Sequence, residues 1–160
     1  MLGNGFTKQS RLKVQVSHST FYPEGSDLAY RAFSVGASSA TETYFLQSQW
    51  IVLPSGEAIP LDESLCSDHE ICTSLTPMPF LLSPKTQCTA MISGKRLLEA
   101  LLSRHSEGVV PLIVLLVDST GAFHCSEPHE FDMDEPTTWR PTPEQQEYRR
   151  AVEQRMLAQK

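Results

Sequence analysis

The residues best suited to chemistry are the cysteines and histidine of one short segment. Cys66, His69 and Cys72 stand at positions i, i+3 and i+6, a spacing that a turn can fold around one ion. Zinc prefers thiolate and imidazole ligands, but strong zinc motifs carry paired C-x-x-C knuckles, which this segment lacks. An ordinary polar loop with two small thiols is the plainer interpretation. We keep a zinc-stabilised domain or small metal-dependent enzyme as the alternative function and otherwise expect no cofactor.

A second chemically capable group is acidic and includes one histidine. Its members are Glu127, His129, Glu130, Asp132, Asp134 and Glu135. The calcium-loop pattern D-x-[DN]-x-[DN]-G fails here, and neither His-Glu pair of the chain continues into H-E-x-x-H. The segment therefore predicts a solvated acidic loop, whose charge suits a basic protein partner.

No arrangement of nucleophile and base is recognisable. A Ser or Cys nucleophile needs a neighbouring base and a third orienting group. The chain has neither a G-x-S-x-G elbow nor the deaminase H-x-E…P-C-x-x-C pattern. His124 falls in a predicted strand and is most simply a core histidine. We therefore predict no catalytic residues and favour a protein that is not an enzyme.

Composition narrows the class of protein further. The 160 residues contain 40% apolar side chains, which is enough for a packed core, and carry a net charge of -6. Direct nucleic-acid binding is not expected, because such proteins usually carry a clustered basic surface. The longest apolar run, residues 109–117, is far shorter than the about 20 residues of a membrane helix. No signal-peptide pattern is recognisable, so we expect a cytoplasmic protein with reduced cysteines.

The elements that must position these residues begin with strands. Period-2 alternation predicts a strand over residues 12–16, and a second is predicted over 29–35, followed by a small-residue loop at 36–40. The clearest hairpin covers residues 43–61, turns at Pro54-Ser55-Gly56, and has a long first arm that we expect to be bulged.

The second half of the chain combines a helix with further strands. Residues 78–82 are predicted as an extended edge segment. Ser93 caps a helix beginning at Gly94, which carries a leucine stripe and closes at Gly108 in the left-handed conformation. The run 109–117 predicts a central strand that is covered on both faces. A turn after this strand leads into a hairpin partner at 122–125.

The C-terminal part is predicted to be an acidic, proline-rich connector followed by a helix. We place the irregular connector at 127–142 and the helix at 143–160, with a capping box between Thr142 and Gln145. A narrow apolar stripe runs along this helix through Tyr148, Ala151, Val152 and Met156. The stripe either docks on the domain or faces a partner.

Together these elements predict an α+β fold. We expect a mainly antiparallel sheet built from hairpins, with one helix packed on a face and a C-terminal amphipathic helix. Residues 1–126 form the predicted core domain, and the connector and helix complete a single domain overall.

For function, the sequence favours a small acidic protein-binding module. Compositionally it resembles the short, acidic, motif-poor proteins of phages and other mobile elements, many of which occupy a host protein's surface. The expectation is an inhibitor or accessory factor that meets a basic, nucleic-acid-binding surface. The expected contacts are Glu127, Glu130, Asp132, Asp134, Glu135, Tyr148, Val152 and Met156, with a second patch at Asp62, Glu63, Asp68 and Glu70. Self-association through the exposed edge of the Tyr44 to Leu53 hairpin or through the terminal helix is a further possibility, and the oligomeric state stays open.

Overall fold

Antiparallel strands dominate the fold. A computed structural model of the chain describes residues 12–23, 27–66 and 74–159. The fold is α+β, with 45% of the described residues in strands and 21% in helices. The strands are β1 (Leu12–Phe21), β2 (Ala29–Ser39), β3 (Tyr44–Val52), β4 (Ala58–Pro60), β5 (Phe80–Leu82), β6 (Cys88–Ser93), β7 (Val109–Asp118), β8 (Phe123–Cys125), β9 (His129–Asp132) and β10 (Thr138–Trp139). The helices within the described ranges are α1 (Glu63–Cys66), α2 (Gly94–Leu102) and α3 (Pro143–Ala158).

The first sheet is centred on β2. Strand β1 pairs along its whole length with β2, from Leu12 opposite Ser39 to Phe21 opposite Tyr30. The other side of β2 pairs with β6 and, at its start, with the short β10. Residues 36–39 are therefore strand, and the loop predicted there was wrong. Residues 36–39 pair with β1, and Gly36 and Ala37 also pair with β6.

The second sheet is centred on β3 and β7. The predicted hairpin is confirmed: β3 pairs with β4, and the expected bulge lies between Leu46 and Ser48. Strand β3 pairs with β7 on one side and with β4 and β5 on the other. Strand β3 is therefore paired on both sides, and β4 is the terminal strand at this end of the sheet order. The far side of β7 pairs with β8 and β9.

Side chains from both sheets form one hydrophobic core. Phe33 of the first sheet meets Phe131 of the second, with ring centroids 5.4 Å apart. Helix α2 covers the core through Leu97 and Leu101, which are fully buried. Gly94 is required at its start, because a Cβ there would lie 2.6 Å from the carbonyl oxygen of Arg31.

Three further expectations need correction. The connector 127–142 is not irregular throughout, since it contributes β9 and β10; the single buried Phe131 fixes β9 among acidic neighbours. Strand β7 alternates between buried and more exposed residues and is not covered on both faces. Helix α2 ends at Leu102 with its C-cap at Ser103, so Gly108 does not close it, although Gly108 does have a positive φ of 68°.

Both predicted helices begin at the predicted residues. Helix α2 begins as predicted, with the Ser93 hydroxyl accepting from the Arg96 amide. Helix α3 begins at Pro143, and the capping box between Thr142 and Gln145 is confirmed. Among the residues described, none of the helices is long and apolar enough to cross a membrane.

Candidate functional site: an acidic turn and an exposed helix

The acidic segment is held in a defined conformation. In β9 the Phe131 side chain enters the core, whereas the neighbouring Glu130 points to solvent. After the strand, a carboxylate oxygen of Asp132 accepts a hydrogen bond of 2.9 Å from the Asp134 amide and closes a turn. Glu127, Asp134 and Glu135 are exposed, and Asp132 is half-buried. Four of the five predicted acidic contacts therefore present their carboxylates to solvent.

We call residues 130–135 the acidic turn, and a buried arginine anchors it. Arg31 Nη1 donates a 2.9 Å hydrogen bond to the carbonyl oxygen of Asp132, and Arg31 Nη2 lies 3.3 Å from Glu135 Oε2. The guanidinium also lies 4.2 Å from the ring centroid of Phe131. The Arg31 amide donates to the Thr137 carbonyl at 2.8 Å. One residue of β2 thus fixes the position of the turn that carries the acids.

Helix α3 leaves most of its apolar side chains in solvent. Tyr148 is 73% exposed, Met156 62% and Leu157 67%, and the helix buries no side chain fully. The predicted partner-binding residue Val152 is half-buried. The helix contacts the body through Arg149, whose guanidinium lies 5.0 Å from the centroid of the Tyr22 ring. The apolar stripe therefore does not dock on the domain at Tyr148 or Met156.

The acidic turn and α3 lie at the same end of the first sheet. Arg31, which holds the turn, and Tyr22, which meets α3, flank the connection between β1 and β2. The acidic turn and the Arg149 contact of α3 are thus both attached at this end of the sheet. This combination can bind a basic protein surface that also offers apolar contacts.

The predicted metal ligands have a different environment. Cys66 ends α1 and is fully buried, and burial together with the nearby Asp62 raises the pKa of its thiol to about 12. His69 and Cys72 lie outside the described residues, as do Asp68 and Glu70 of the second acidic patch. Within residues 12–23, 27–66 and 74–159, no three His, Cys, Asp or Glu side chains are grouped as a metal ion requires. Asp62 and Glu63 of the second patch are exposed.

His124 lies in the core of the protein and forms a hydrogen bond with Asp118. Its Nε2 lies 2.8 Å from Asp118 Oδ2, and its ring meets Tyr44 edge-on at 5.1 Å between centroids. Asp118 Oδ1 accepts from the amides of Thr120 and Ala122 and from the Thr120 hydroxyl. Burial raises the pKa of Asp118, but these hydrogen bonds outweigh it and lower the pKa below its ordinary value. The contact between Asp118 and His124 stabilises the turn between β7 and β8.

Sequence reasoning missed Arg31. The sequence contains one indication of this role, because Arg31 is the single charged residue of the predicted strand 29–35. In the structure this strand, β2, pairs with a neighbouring strand on each side. A buried charge is costly unless it is paired, so such a residue indicates an acidic partner elsewhere in the chain. Its partner Glu135 lies far away in sequence, which is why the pattern alone does not reveal the contact.

Comparisons with known proteins add little to this geometry. No protein-family model and no curated protein matches the chain. Among solved structures, it is similar to the structural genomics target SoR45, with 11% identity, a TM-score of 0.31 and coverage of 79% of this chain and 88% of that one. It is also similar to the putative ApaA protein from Bordetella pertussis, with 14% identity, a TM-score of 0.31 and coverage of 75% and 89%. Similarity at this level carries no argument about function.

Proposed function

We propose that this protein is a non-enzymatic binding module that attaches to a basic surface of another protein. The observation that carries the proposal is the exposure of Tyr148, Met156 and Leu157 on α3, at the end of the molecule where the acidic turn lies. Large apolar side chains left in solvent along one helix are typical of a surface that a partner covers.

Charge favours a basic partner. The chain carries a net charge of -6, and the exposed carboxylates of Glu130, Asp134 and Glu135 stand on a turn that Arg31 holds in place. Acidic surfaces accelerate association with basic ones and select against acidic competitors. A basic protein surface is often one that binds nucleic acid, so the module acts as an inhibitor or accessory factor there. A role in a phage or other mobile element is consistent with its composition.

Cysteine chemistry supports a cytoplasmic location. Cys66, Cys88 and Cys125 are free, and Cys125 is exposed. An exposed free thiol persists in a reducing compartment, whereas oxidising compartments favour disulfides.

The test is affinity capture from a bacterial lysate, with and without nuclease, read by quantitative mass spectrometry. The E130Q/D134N variant removes two exposed charges from the acidic turn. The matched control E99Q/E107Q removes two exposed charges outside both predicted acidic patches. We expect one basic protein to be captured in a nuclease-resistant manner, and to be lost with E130Q/D134N but not with the control.

Two results would contradict the proposal. Equal capture by both variants would show that the acidic turn is not the contact. A partner that disappears after nuclease treatment would show that nucleic acid bridges the two proteins. Binding should also weaken as salt is raised, because exposed charges are screened over about 10 Å at 0.1 M ionic strength.

A further inference from the structure

The inner face of the first sheet changes from apolar to polar near one end. Val14 and Val16 of β1 face the core, and the next residues on the same side of the strand are His18 and Thr20. Thr20 lies opposite Arg31 of β2 in the register. His18 and Thr20 are exposed, whereas Arg31 is buried, so this end of the two strands combines solvent-facing polar side chains with a buried cation.

A cleft of about 240 Å³ opens at this end of the molecule. Its lining includes His18, Ser19, Thr20, Arg31, Glu135 and Trp139. It is slightly smaller than the roughly 300–1,000 Å³ of sites for drug-sized ligands. The cleft therefore has room for a small organic molecule, and hydroxyl groups and an indole are among the groups that line it.

Arg31 has an unused hydrogen-bonding edge in the cleft. Its side chain is 6% exposed, and Nη1 is committed to the carbonyl oxygen of Asp132. Nε and Nη2 are buried without a hydrogen-bond partner in the described part of the chain. The contact of Nη2 with Glu135 at 3.3 Å is an ion pair, and the Glu135 side chain is 56% exposed. Buried donors left unsatisfied are costly, so this edge is suited to an incoming acceptor.

The neighbouring histidine does not supply a second fixed charge. Burial lowers the pKa of His129, and the nearby His18 and Arg31 lower it further, so its imidazole is mostly neutral at pH 7. Arginine, in contrast, stays protonated in proteins. Arg31 is thus the permanent cation of the cleft, and Asp132 and Glu135 are the acids whose charge acts on it.

We propose that this cleft binds a small organic carboxylate, whose two oxygens accept hydrogen bonds from Nε and Nη2 of Arg31 in place of Glu135. The Nε–Nη2 edge of a guanidinium matches the two oxygens of a carboxylate. The single positive charge, set among acidic side chains, suits a monoanion better than a doubly charged phosphate. Trp139 provides a flat apolar wall for the remainder of the ligand. Glu135 leaves when the ligand binds and swings into solvent.

The direct readout is the Nε–Hε resonance of Arg31 in the whole protein, followed by NMR. The probes are acetate, benzoate and phenylacetate, with benzamide as the uncharged analogue of benzoate and inorganic phosphate as the alternative anion. We expect a saturable shift with at least one carboxylate and none with benzamide. An equal shift with phosphate would overturn the carboxylate assignment. No shift with any carboxylate at about 10 mM, enough to saturate a site with a Kd near 1 mM, would overturn the site itself.

Two substitutions test the geometry. E135Q removes the competing carboxylate and should tighten carboxylate binding by about threefold or more, whereas R31K keeps the charge, loses the planar edge and should weaken it about tenfold. The control is E57Q, because Glu57 forms a similar arginine pair, 3.0 Å from Arg104, outside the cleft. Weaker binding in E135Q, or an equal gain in E57Q, would contradict displacement of Glu135. Arg31 and Glu135 also belong to the acidic turn, so the two sites are separated with E130Q/D134N, which leaves both residues unaltered and should retain carboxylate binding.

Discussion

Helices α2 and α3 both begin with a side-chain N-cap, but only α2 packs into the core. Ser93 caps α2 and Thr142 caps α3, each hydroxyl accepting a backbone amide of the first turn. Yet α2 buries Leu97 and Leu101 in the core, whereas α3 buries none of its side chains. Local capping thus determines where a helix starts. The width of its apolar face determines whether it becomes part of the core.

The two helices also differ in the contacts that support them. Isolated helices shorter than about 12–15 residues are marginal in water, and α3, with 16 residues, is only slightly longer than that limit. Its described support is the capping box, the ion pair of Arg149 with Glu153 and the contact of Arg149 with Tyr22. Helix α2 thus packs into the core through Leu97 and Leu101, whereas Tyr148 and Met156 of α3 remain exposed.

The largest expected effect contrasts two adjacent leucines of α2. Leu101→Ala removes a fully buried side chain and should lower the free energy of unfolding by about 2–5 kcal/mol. Leu102→Ala, at a position that is mostly exposed, should change it by less than about 0.5 kcal/mol. Urea denaturation of both variants measures the contrast. Similar losses would mean that α2 does not pack as described.

A second effect concerns the buried hydrogen bond between Asp118 and His124, which stabilises the turn between β7 and β8. Asp118→Asn should cost about 2 kcal/mol at pH 7, because a buried carboxylate with charged hydrogen bonds is lost. The pKa of Asp118 in the folded state lies below its ordinary value of 3.8, so the ionised form stabilises the fold. That contribution is complete above this ordinary value and is lost as the pH falls through the lower folded value.

Urea denaturation of wild type and Asp118→Asn across pH 7 to 2 checks this linkage. The difference between the two proteins should shrink only in the acid part of the range. A difference that stays constant to the lowest pH would show that the charge of Asp118 contributes nothing.

A third, smaller effect should be confined to α3. Thr142→Ala removes the cap hydroxyl and should destabilise the helix by about 1 kcal/mol. Since α3 is not docked through its apolar stripe, faster amide hydrogen exchange is expected in the first turns of α3, with global unfolding unchanged. A matching loss in global stability would indicate that α3 and the core unfold as one unit.

The smallest effect on stability is expected from the apolar stripe itself. Tyr148→Ser combined with Met156→Ser should change the unfolding free energy by less than about 0.5 kcal/mol, because both side chains are exposed. Thermal unfolding of the double variant checks this. A clear fall in Tm would place the stripe against the body.

Local features of the fold were predictable from the sequence, and distant ones were not. The caps at Ser93 and Thr142 and the turn at Gly56 follow from residues within a few positions of each other. Strand β9 was missed because one buried phenylalanine among acids gives no periodic signal. The end of β2 was missed because small residues resemble a loop until β1 and β6 are known to flank it.

The candidate site divides in the same way. The acidic residues and the apolar stripe of α3 are visible in the sequence, since composition and helical spacing show them. The anchor of the acidic turn is not, because Arg31 and the Asp132 carbonyl that it binds are 101 positions apart. Pairing across that distance depends on how the sheets bring β2 and β9 together, which no local pattern specifies.

The central claim is that α3 and the acidic turn bind a partner protein. The most direct measurement is calorimetric titration of the captured partner with wild type and with the Tyr148→Ser/Met156→Ser variant. We predict an affinity at least about tenfold weaker for the variant, a loss of about 1.4 kcal/mol, with unchanged thermal stability. Equal affinities for the two proteins would contradict the account.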